Sequence, residues 1–349
     1  KKQYQSAKRA KVFSFHRSNR VHGLFFYELK KTFICQKGLV LFLACIMIQI
    51  FILSQYNDYF GTDEYYYQNY IDQFGDRIDD QTDEKLQNEE QRIAALYTEL
   101  ETTENSVTAY KLQQELECEG GFQRYADRVR ELREDGRSPL LLKDAQYTLL
   151  FTNTPLSRSW VILLCMSFAF LVISVFYREK ATHMELLQKS SLFGRRKLFY
   201  FKFLTLLLYF IPFCLLGAVL RLIWSSSHYR LDWDAPANCL EIFRETGITC
   251  SIRSIFFLGT LLQCIFVVLA LLLLSRLAEL SKRRYLMPAI ILGCTVIPTL
   301  LSPYFPVAWL QIVHNLFFIF TASVYFISGT LLILAVCAAF ITERKMRNE

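Results

Sequence analysis

Six runs of apolar residues, each about as long as a membrane crossing, divide this sequence. A helix needs about 20 apolar residues to cross the hydrocarbon core of a bilayer. The runs therefore predict an all-α polytopic membrane protein, and the Trp and Tyr residues at several of their ends are typical of the membrane interface. The predicted spans are residues 34–55, 159–177, 198–224, 252–275, 285–301 and 316–341.

Lys and Arg residues are concentrated in every second segment between these spans. The segments 1–33, 178–197, 276–284 and 342–349, with the span ends that border them, hold 24 of the 39 Lys and Arg residues and 6 of the 32 Asp and Glu residues, which leaves 15 and 26 elsewhere. Because basic flanks stay on the cytoplasmic side, this alternation predicts that both termini lie inside. The net charge of +7 would also suit nucleic-acid binding, but the alternation explains it better, and we expect no nucleic-acid partner.

The first 33 residues combine a basic arm with an amphipathic pattern. Leu24, Phe25, Leu29 and Phe33 share one face at helical spacing, with the charged residues mostly off it. The pattern predicts a helix on the inner membrane surface just before the first span. No small-x-small cleavage site closes the first apolar run, so we interpret that run as a retained anchor. The residues around the centre of the predicted helix are Tyr27, Glu28, Leu29, Lys30 and Lys31.

The segment 56–158 is predicted to be an extracytoplasmic helical domain with 22 acidic and 11 basic residues. A seven-residue repeat predicts one long helix through Tyr110, which packs as a coiled coil or a helical hairpin. The pair Gly120-Gly121 predicts a break, with a second amphipathic helix starting at Phe122. Such a domain could be a stalk without a ligand, or its acidic surface could receive a cationic peptide. The repeat consists of Leu86, Ile93, Leu100 and Val107.

The segment that joins the second and third spans is strongly basic. Residues 177–202 contain seven Lys and Arg residues but only two Glu residues. Their middle part, 181–189, has good helix formers and neither Gly nor Pro, which predicts a short helix at the inner membrane surface. The charges of this helix could dock on a cytoplasmic partner, or they could only set the membrane topology.

Two further segments are predicted to lie outside. Residues 225–251 form a polar loop in which Cys239 and Cys250 could form a disulfide. Residues 302–315 are apolar but rich in Pro, so they cannot form a regular span. We expect them to form a short re-entrant segment that packs against protein.

Motifs for chemistry are missing from the sequence. It has no phosphate-binding loop, no dinucleotide fingerprint, no zinc-ligand spacing and no nucleophile elbow. The span interiors contain no acidic residue, which disfavours a proton-driven transporter. We therefore expect no catalytic residue, no metal site and no cofactor in this chain, which would take its energy from a partner.

The chain resembles the membrane subunit of type-2 ABC exporters, which have the type V exporter fold. The residues Tyr27-Glu28-Leu29-Lys30-Lys31 look like the elbow helix of that family. The run from Glu179-Lys180 through Glu185-Leu186-Leu187-Gln188 to Arg195-Arg196-Lys197, with Lys202 further on, is similar to its coupling-helix loop. The Pro-rich segment before the last span resembles its short outer helices.

The resemblance implies a complex of two permease subunits, identical or related, with two ATPase subunits that bind ATP and Mg. The coupling helix would insert into a groove of the ATPase, with charged residues on the docking face and apolar residues against the spans. The implied ATPase-coupling residues are Glu179, Lys180, Met184, Glu185, Leu186, Leu187, Lys189, Arg195 and Arg196.

Three functions remain open at this point. The first is a permease subunit in a bacterial plasma membrane that exports an amphipathic substrate, such as a peptide antibiotic, a lipid or a drug-like molecule, through an aromatic and uncharged cavity. The second is a mechanotransmission subunit whose outer domain regulates an extracytoplasmic partner without transport. The third is a membrane scaffold without an ATPase.

Overall fold

The computed structural model describes residues 17–57, 60–79, 81–135, 140–151, 154–181, 194–244 and 248–280, and then positions 289, 293, 296–301, 304 and 333. This part of the chain is mostly helical, and its only β-structure is two isolated bridges. The helices are α1 (Arg17–Lys30), α2 (Gly38–Gln55), α3 (Thr62–Phe74), α4 (Gln81–Thr102), α5 (Ser106–Leu116), α6 (Glu119–Asp135), α7 (Asp144–Phe151), α8 (Pro155–Ala181), α9 (Gly194–His228), α10 (Glu241–Arg244), α11 (Ile252–Leu280) and α12 (Ile297–Leu301).

Four of the described helices are long and apolar enough to cross a membrane, and they coincide with the first four predicted spans. The first of them begins at Gly38 and not at residue 34. A π-helical turn over Lys31–Cys35 precedes it, and Lys37 then adopts the left-handed conformation with φ 59°, which interrupts the helix. The candidate membrane helices are Gly38–Gln55, Arg158–Tyr177, Lys197–His228 and Ile252–Ala278.

The arrangement of six spans stays a prediction. Most of the predicted spans 285–301 and 316–341, the segment between them and the tail 342–349 lie outside the described residues. Within this region α12 is described, and Val296 beside it packs against Val161 and Cys165 of α8.

The helices α2, α8, α9 and α11 pack side by side as a bundle. Its core is aromatic: Phe168 stacks on Phe210 with ring centroids 3.9 Å apart, and Trp160 stacks on Phe213 at 4.3 Å. Gly217 of α9 lies directly beneath the Trp160 ring, where a larger residue would collide with it. Small residues allow such close approach, and close packing is what holds helices together in lipid.

Polar side chains of α2 and of the turn before it contact α8 at two levels. The Ser174 hydroxyl donates to Gln36 Oε1 at 3.1 Å, and Gln36 Nε2 donates to the Ser174 carbonyl at 2.9 Å. Nearer the other end, the Ser159 hydroxyl donates to Gln49 Oε1 at 3.0 Å.

We call the end of the bundle where α8 ends and α9 begins the loop end, and the end next to α3–α7 the domain end. The outer face of α2 is apolar and exposed, through Val40, Leu43, Met47 and Phe51.

The helices α3 and α6 form the centre of the domain that follows α2. The predicted break is present two to three residues earlier than expected: α5 ends at Leu116 and α6 begins at Glu119, so Gly120 and Gly121 are in the first turn of α6. These glycines allow a close approach, because a Cβ on Gly121 would meet the backbone of α3 at Asp63 and Tyr67. The sequence pattern identified the pair as a helix boundary but not its packing role.

The predicted long helix is also interrupted. α4 ends at Thr102, and Asn105 caps α5 by accepting the Val107 N–H at 3.0 Å. Leu86 and Ile93 belong to the core of this domain, whereas Val107 is 63% exposed, so only the first half of the seven-residue repeat packs in that core. Thr and Asn side chains bond to nearby backbone groups and so favour helix ends over helix interiors.

Neighbouring glycines of α6 provide a test of this packing. Gly121→Ala is expected to lower the free energy of unfolding by about 1–3 kcal/mol, because the new methyl group meets backbone atoms that cannot move aside. Gly120→Ala meets only the Asp63 side chain, and it should be close to neutral because Ala favours a helix by about 1 kcal/mol. Thermal unfolding of the two variants in detergent measures the difference, and equal midpoints would contradict the packing argument.

Candidate functional site

The predicted coupling segment connects the end of α8 to the start of α9 in the sequence. Glu179 and Lys180 are in the last turn of α8, and Arg195 and Arg196 are in the first turn of α9. The structure therefore places both ends of the predicted coupling segment at the loop end of the bundle. The other predicted residues, Met184, Glu185, Leu186, Leu187 and Lys189, lie outside the described residues.

The predicted elbow residues Tyr27, Glu28, Leu29 and Lys30 are in α1, and Lys31 opens the π-helical turn. α1 packs against α9, with the Phe25 and Phe201 ring centroids 6.2 Å apart. The predicted position of Glu28 off the packing face is wrong: the residue is 1% exposed, and Lys31 Nζ donates to its carboxylate at 2.9 Å. Glu28 follows Phe25 by three residues, so the two share one helix face.

Two buried cations lie at the loop end and contact aromatic rings. Lys202 Nζ of α9 is 5.5 Å from the centroid of Phe176 in α8, and Arg276 Cζ of α11 is 3.6 Å from the centroid of Phe199 in α9. The Phe176 and Phe199 rings are themselves 6.1 Å apart. Cation–π contacts stabilise such pairs by about 2 kcal/mol where water is excluded. These contacts join α8, α9 and α11 beside the predicted coupling segment.

Arg221 is a charged residue within the bundle that sequence reasoning missed. It is 4% exposed in α9, its Nη2 donates to Gln263 Oε1 of α11 at 3.4 Å, and its Nε donates to the Gly217 carbonyl at 3.4 Å. Arg221 therefore places a positive charge in the interior of the bundle, among side chains that the sequence analysis expected to be aromatic and apolar. Ionisable residues within membrane helices face the bundle interior and mark functional positions. The missed signal is a single Arg inside an apolar run.

At the domain end, Arg128 joins α6 to the segment between α9 and α11. Its Nη2 donates to the Cys239 carbonyl at 2.7 Å, and its Nη1 lies 3.3 Å from the Glu131 carboxylate. Arg128 is 7% exposed, so these contacts replace the water that its guanidinium would otherwise bind. We call the contacts of Arg124, Arg128, Asp144 and Glu241, which connect α6, α7 and α10, the domain junction.

Arg124 extends this junction to α3. It forms an ion pair with Glu64 of α3 and a longer one, at 3.3 Å, with Glu241 of α10. Its guanidinium also lies 5.1 Å from the centre of the Tyr67 ring. Since Arg124 and Arg128 are four residues apart, they project from one face of α6. The spacing of the two arginines is visible in the sequence, but it does not identify their distant partners.

Asp144 lies at the centre of the junction, at the start of α7. Burial raises the pKa of its carboxyl to about 7, and the nearby Arg128 and Arg124 and the Glu241 N–H, which donates to Asp144 Oδ1 at 3.2 Å, oppose this increase. A carboxyl that titrates near neutral pH, away from an apolar membrane helix, can change the charge of the junction under physiological conditions.

Cys239 is buried, whereas Cys250 is exposed. The two segments are adjacent, since the Ala237 N–H donates to the Cys250 carbonyl at 2.9 Å. The structure contains no bond between the two sulfur atoms, and the Cys239–Cys250 disulfide stays a prediction. Among the described residues, no group of His, Cys, Asp and Glu side chains is arranged to hold a metal ion.

Comparison with known proteins gives no relative for this chain: no protein-family model, no curated protein and no solved structure matches it. The functional argument therefore depends on the residues and contacts described above.

Proposed function

We propose that this chain is the permease subunit of a bacterial ABC exporter, in which a separate ATPase subunit drives export of an amphipathic substrate across the plasma membrane. The observation that carries the proposal is the basic segment between α8 and α9, two helices that are long and apolar enough to cross a membrane. Such a segment stays in the cytoplasm, where an ATPase can reach it. A second permease subunit, identical or related, and membrane lipid complete the assembly.

Contacts at the loop end support a path for force from this segment into the bundle. Lys202 and Arg276 connect α8, α9 and α11 through the rings of Phe176 and Phe199. A packed core transmits displacement because it has few voids to absorb it. A push on the coupling segment would then move the three helices together.

A mechanotransmission subunit is the second candidate, and the domain junction favours it. Arg128 binds the outer domain directly to the segment between α9 and α11, so a movement of these helices would reach α6 through a buried, charged contact. In this case the outer domain would act on an extracytoplasmic partner, and no substrate would cross.

Charge reversal in the coupling segment tests the premise that both candidates share, namely that this segment docks on an ATPase. Glu179→Lys with Glu185→Lys should reduce ATP-driven function at least about tenfold while membrane insertion remains normal, because like charges across a docking surface cost several kcal/mol. The control pair is Glu99→Lys with Glu101→Lys, two exposed carboxylates of α4. The measurement uses proteoliposomes that contain the chain with the ATPase purified alongside it. Full activity of the Glu179 and Glu185 variant would remove the coupling proposal.

The same proteoliposomes separate the two candidates. ATP-dependent movement of a fluorescent amphipathic peptide or lipid supports export. ATP-dependent movement of the outer domain without transport, followed by spin labels on α4 and α9, supports mechanotransmission. If no ATP-binding subunit copurifies with the chain, both candidates fail and a scaffold remains. Labelling of the coupling segment from the external face would also overturn both.

A further inference from the structure

A cleft of about 520 Å³ opens between the outer domain and the domain end of α9. Its volume is within the range of about 300–1,000 Å³ that is typical of small-molecule sites. One wall is formed by the end of α3 and the residues after it, and the opposite wall by the residues that follow α9. Tyr147 of α7 and Leu142 line the cleft between the two walls.

Backbone hydrogen bonds hold both walls in place. The Leu141 N–H donates to the Asp76 carbonyl at 2.6 Å, and Gly75 makes the preceding turn with φ 104°, which a residue with a side chain rarely adopts. On the other wall, the Asp232 N–H donates to the Tyr147 hydroxyl at 2.8 Å. The cleft is therefore formed before any ligand enters.

The two walls differ in charge. Asp72 and Asp76 line the outer-domain wall, and Lys143 neutralises Asp72 at 2.6 Å. Arg230 and His228 line the wall that follows α9. Within the part of the chain that the structure describes, neither Asp76 nor Arg230 forms an ion pair, so a carboxylate and a guanidinium remain available on opposite walls.

The cleft also lies where an apolar helix ends. The candidate membrane helix in α9 ends at His228, a residue that lines the cleft, and Trp224 one turn earlier stacks on the His228 ring at 4.2 Å. The end of a helix that crosses the hydrocarbon core lies at the level of the lipid headgroups. Asp232, whose carboxylate accepts the Asp234 N–H at 3.1 Å, adds a second anionic group to the same wall as Arg230.

We propose that this cleft binds a phosphate–ammonium headgroup of a membrane phospholipid, with the phosphate at Arg230 and the ammonium at Asp76 and Asp232. The inference depends on the membrane location in the proposed function but not on the ATPase. A headgroup with a phosphate and no amine would place its negative charge near Asp76, and a simple amine would leave Arg230 without an anion. A bound headgroup would contact both walls and so hold the outer domain against α9.

The test is native mass spectrometry of the delipidated full chain in detergent, titrated with phosphatidylethanolamine or phosphatidylglycerol. We expect phosphatidylethanolamine to bind roughly tenfold more tightly, about the effect of one favourable charged contact. Arg230→Gln should weaken both lipids, and Asp76→Asn should remove the preference because phosphatidylglycerol then binds more tightly. The controls are Arg130→Gln and Asp127→Asn, two exposed residues of α6 outside the cleft, and both should keep the wild-type preference.

Equal affinity of the wild-type chain for the two lipids would overturn the proposal, and so would an unchanged preference in Asp76→Asn. Soluble glycerophosphoethanolamine distinguishes the source of the headgroup. If this compound competes weakly, the cleft takes its headgroup from a membrane lipid. If it competes as strongly as the lipid, the membrane is not the source of the headgroup. Because these titrations contain no ATPase and no ATP, their failure leaves the coupling experiment unaffected, and failure of the coupling experiment leaves them interpretable.

Discussion

Arg128→Met is expected to lower the free energy of unfolding by about 3 kcal/mol, because it removes a buried guanidinium that bonds across the domain junction. Met is similar in length and apolar, so the variant removes charge and hydrogen bonds without leaving a large cavity. The effect should be local. Amide hydrogen exchange of residues 235–252 should accelerate roughly 100-fold, since each 1.4 kcal/mol of local stability is a factor of ten.

Arg130→Met on the same helix is the matched control. Arg130 is 61% exposed, and its ion pairs with Asp127 and Glu90 are at the surface. Such pairs contribute about 0–1 kcal/mol, so thermal stability and exchange in this variant should stay near wild type. Unchanged exchange of residues 235–252 in Arg128→Met would show that the Arg128 bond to Cys239 does not hold the junction closed.

The apolar helices of the bundle were predictable because their signal is local. A run of about 20 apolar residues specifies a membrane-length helix without reference to any other part of the chain. The exact start of α2 at Gly38 was not predictable in this way. The left-handed conformation of Lys37 ends the preceding π-helical turn, and nothing in the apolar run marks that residue as a boundary.

The domain junction was not predictable, because its partners are far apart in the sequence. Arg128 bonds to a residue 111 positions later, and Arg124 pairs with one 117 positions later. Periodicity identifies the apolar face of α6, but it cannot show which distant carbonyl or carboxylate will face an arginine on that helix. Gly121 shows the same limit, since its role became clear only when α3 was placed against α6.

The stability of the domain junction is expected to decrease as pH rises from about 4 to above 7, because of Asp144. Burial raises its pKa from 3.8 to about 7, against the opposing effect of Arg128. Between these two values the folded state keeps a proton that the unfolded chain has released, so the folded state binds more protons and loses stability with rising pH. The expected loss between pH 5 and pH 8 is roughly 2–3 kcal/mol.

Asp144→Asn isolates this effect. Asn keeps an oxygen that can accept the Glu241 N–H, which donates to Asp144 at 3.2 Å, but it cannot ionise. The variant should therefore be more stable than wild type at pH 8 and close to it at pH 5, as measured by thermal unfolding at both pH values. Asp127→Asn, a change at an exposed carboxylate of α6, should keep the wild-type dependence on pH. If Asp144→Asn keeps that dependence as well, the titration belongs to another group. A positive result would mean that the contact of α6 and α7 with α10 loosens as the pH of its surroundings rises.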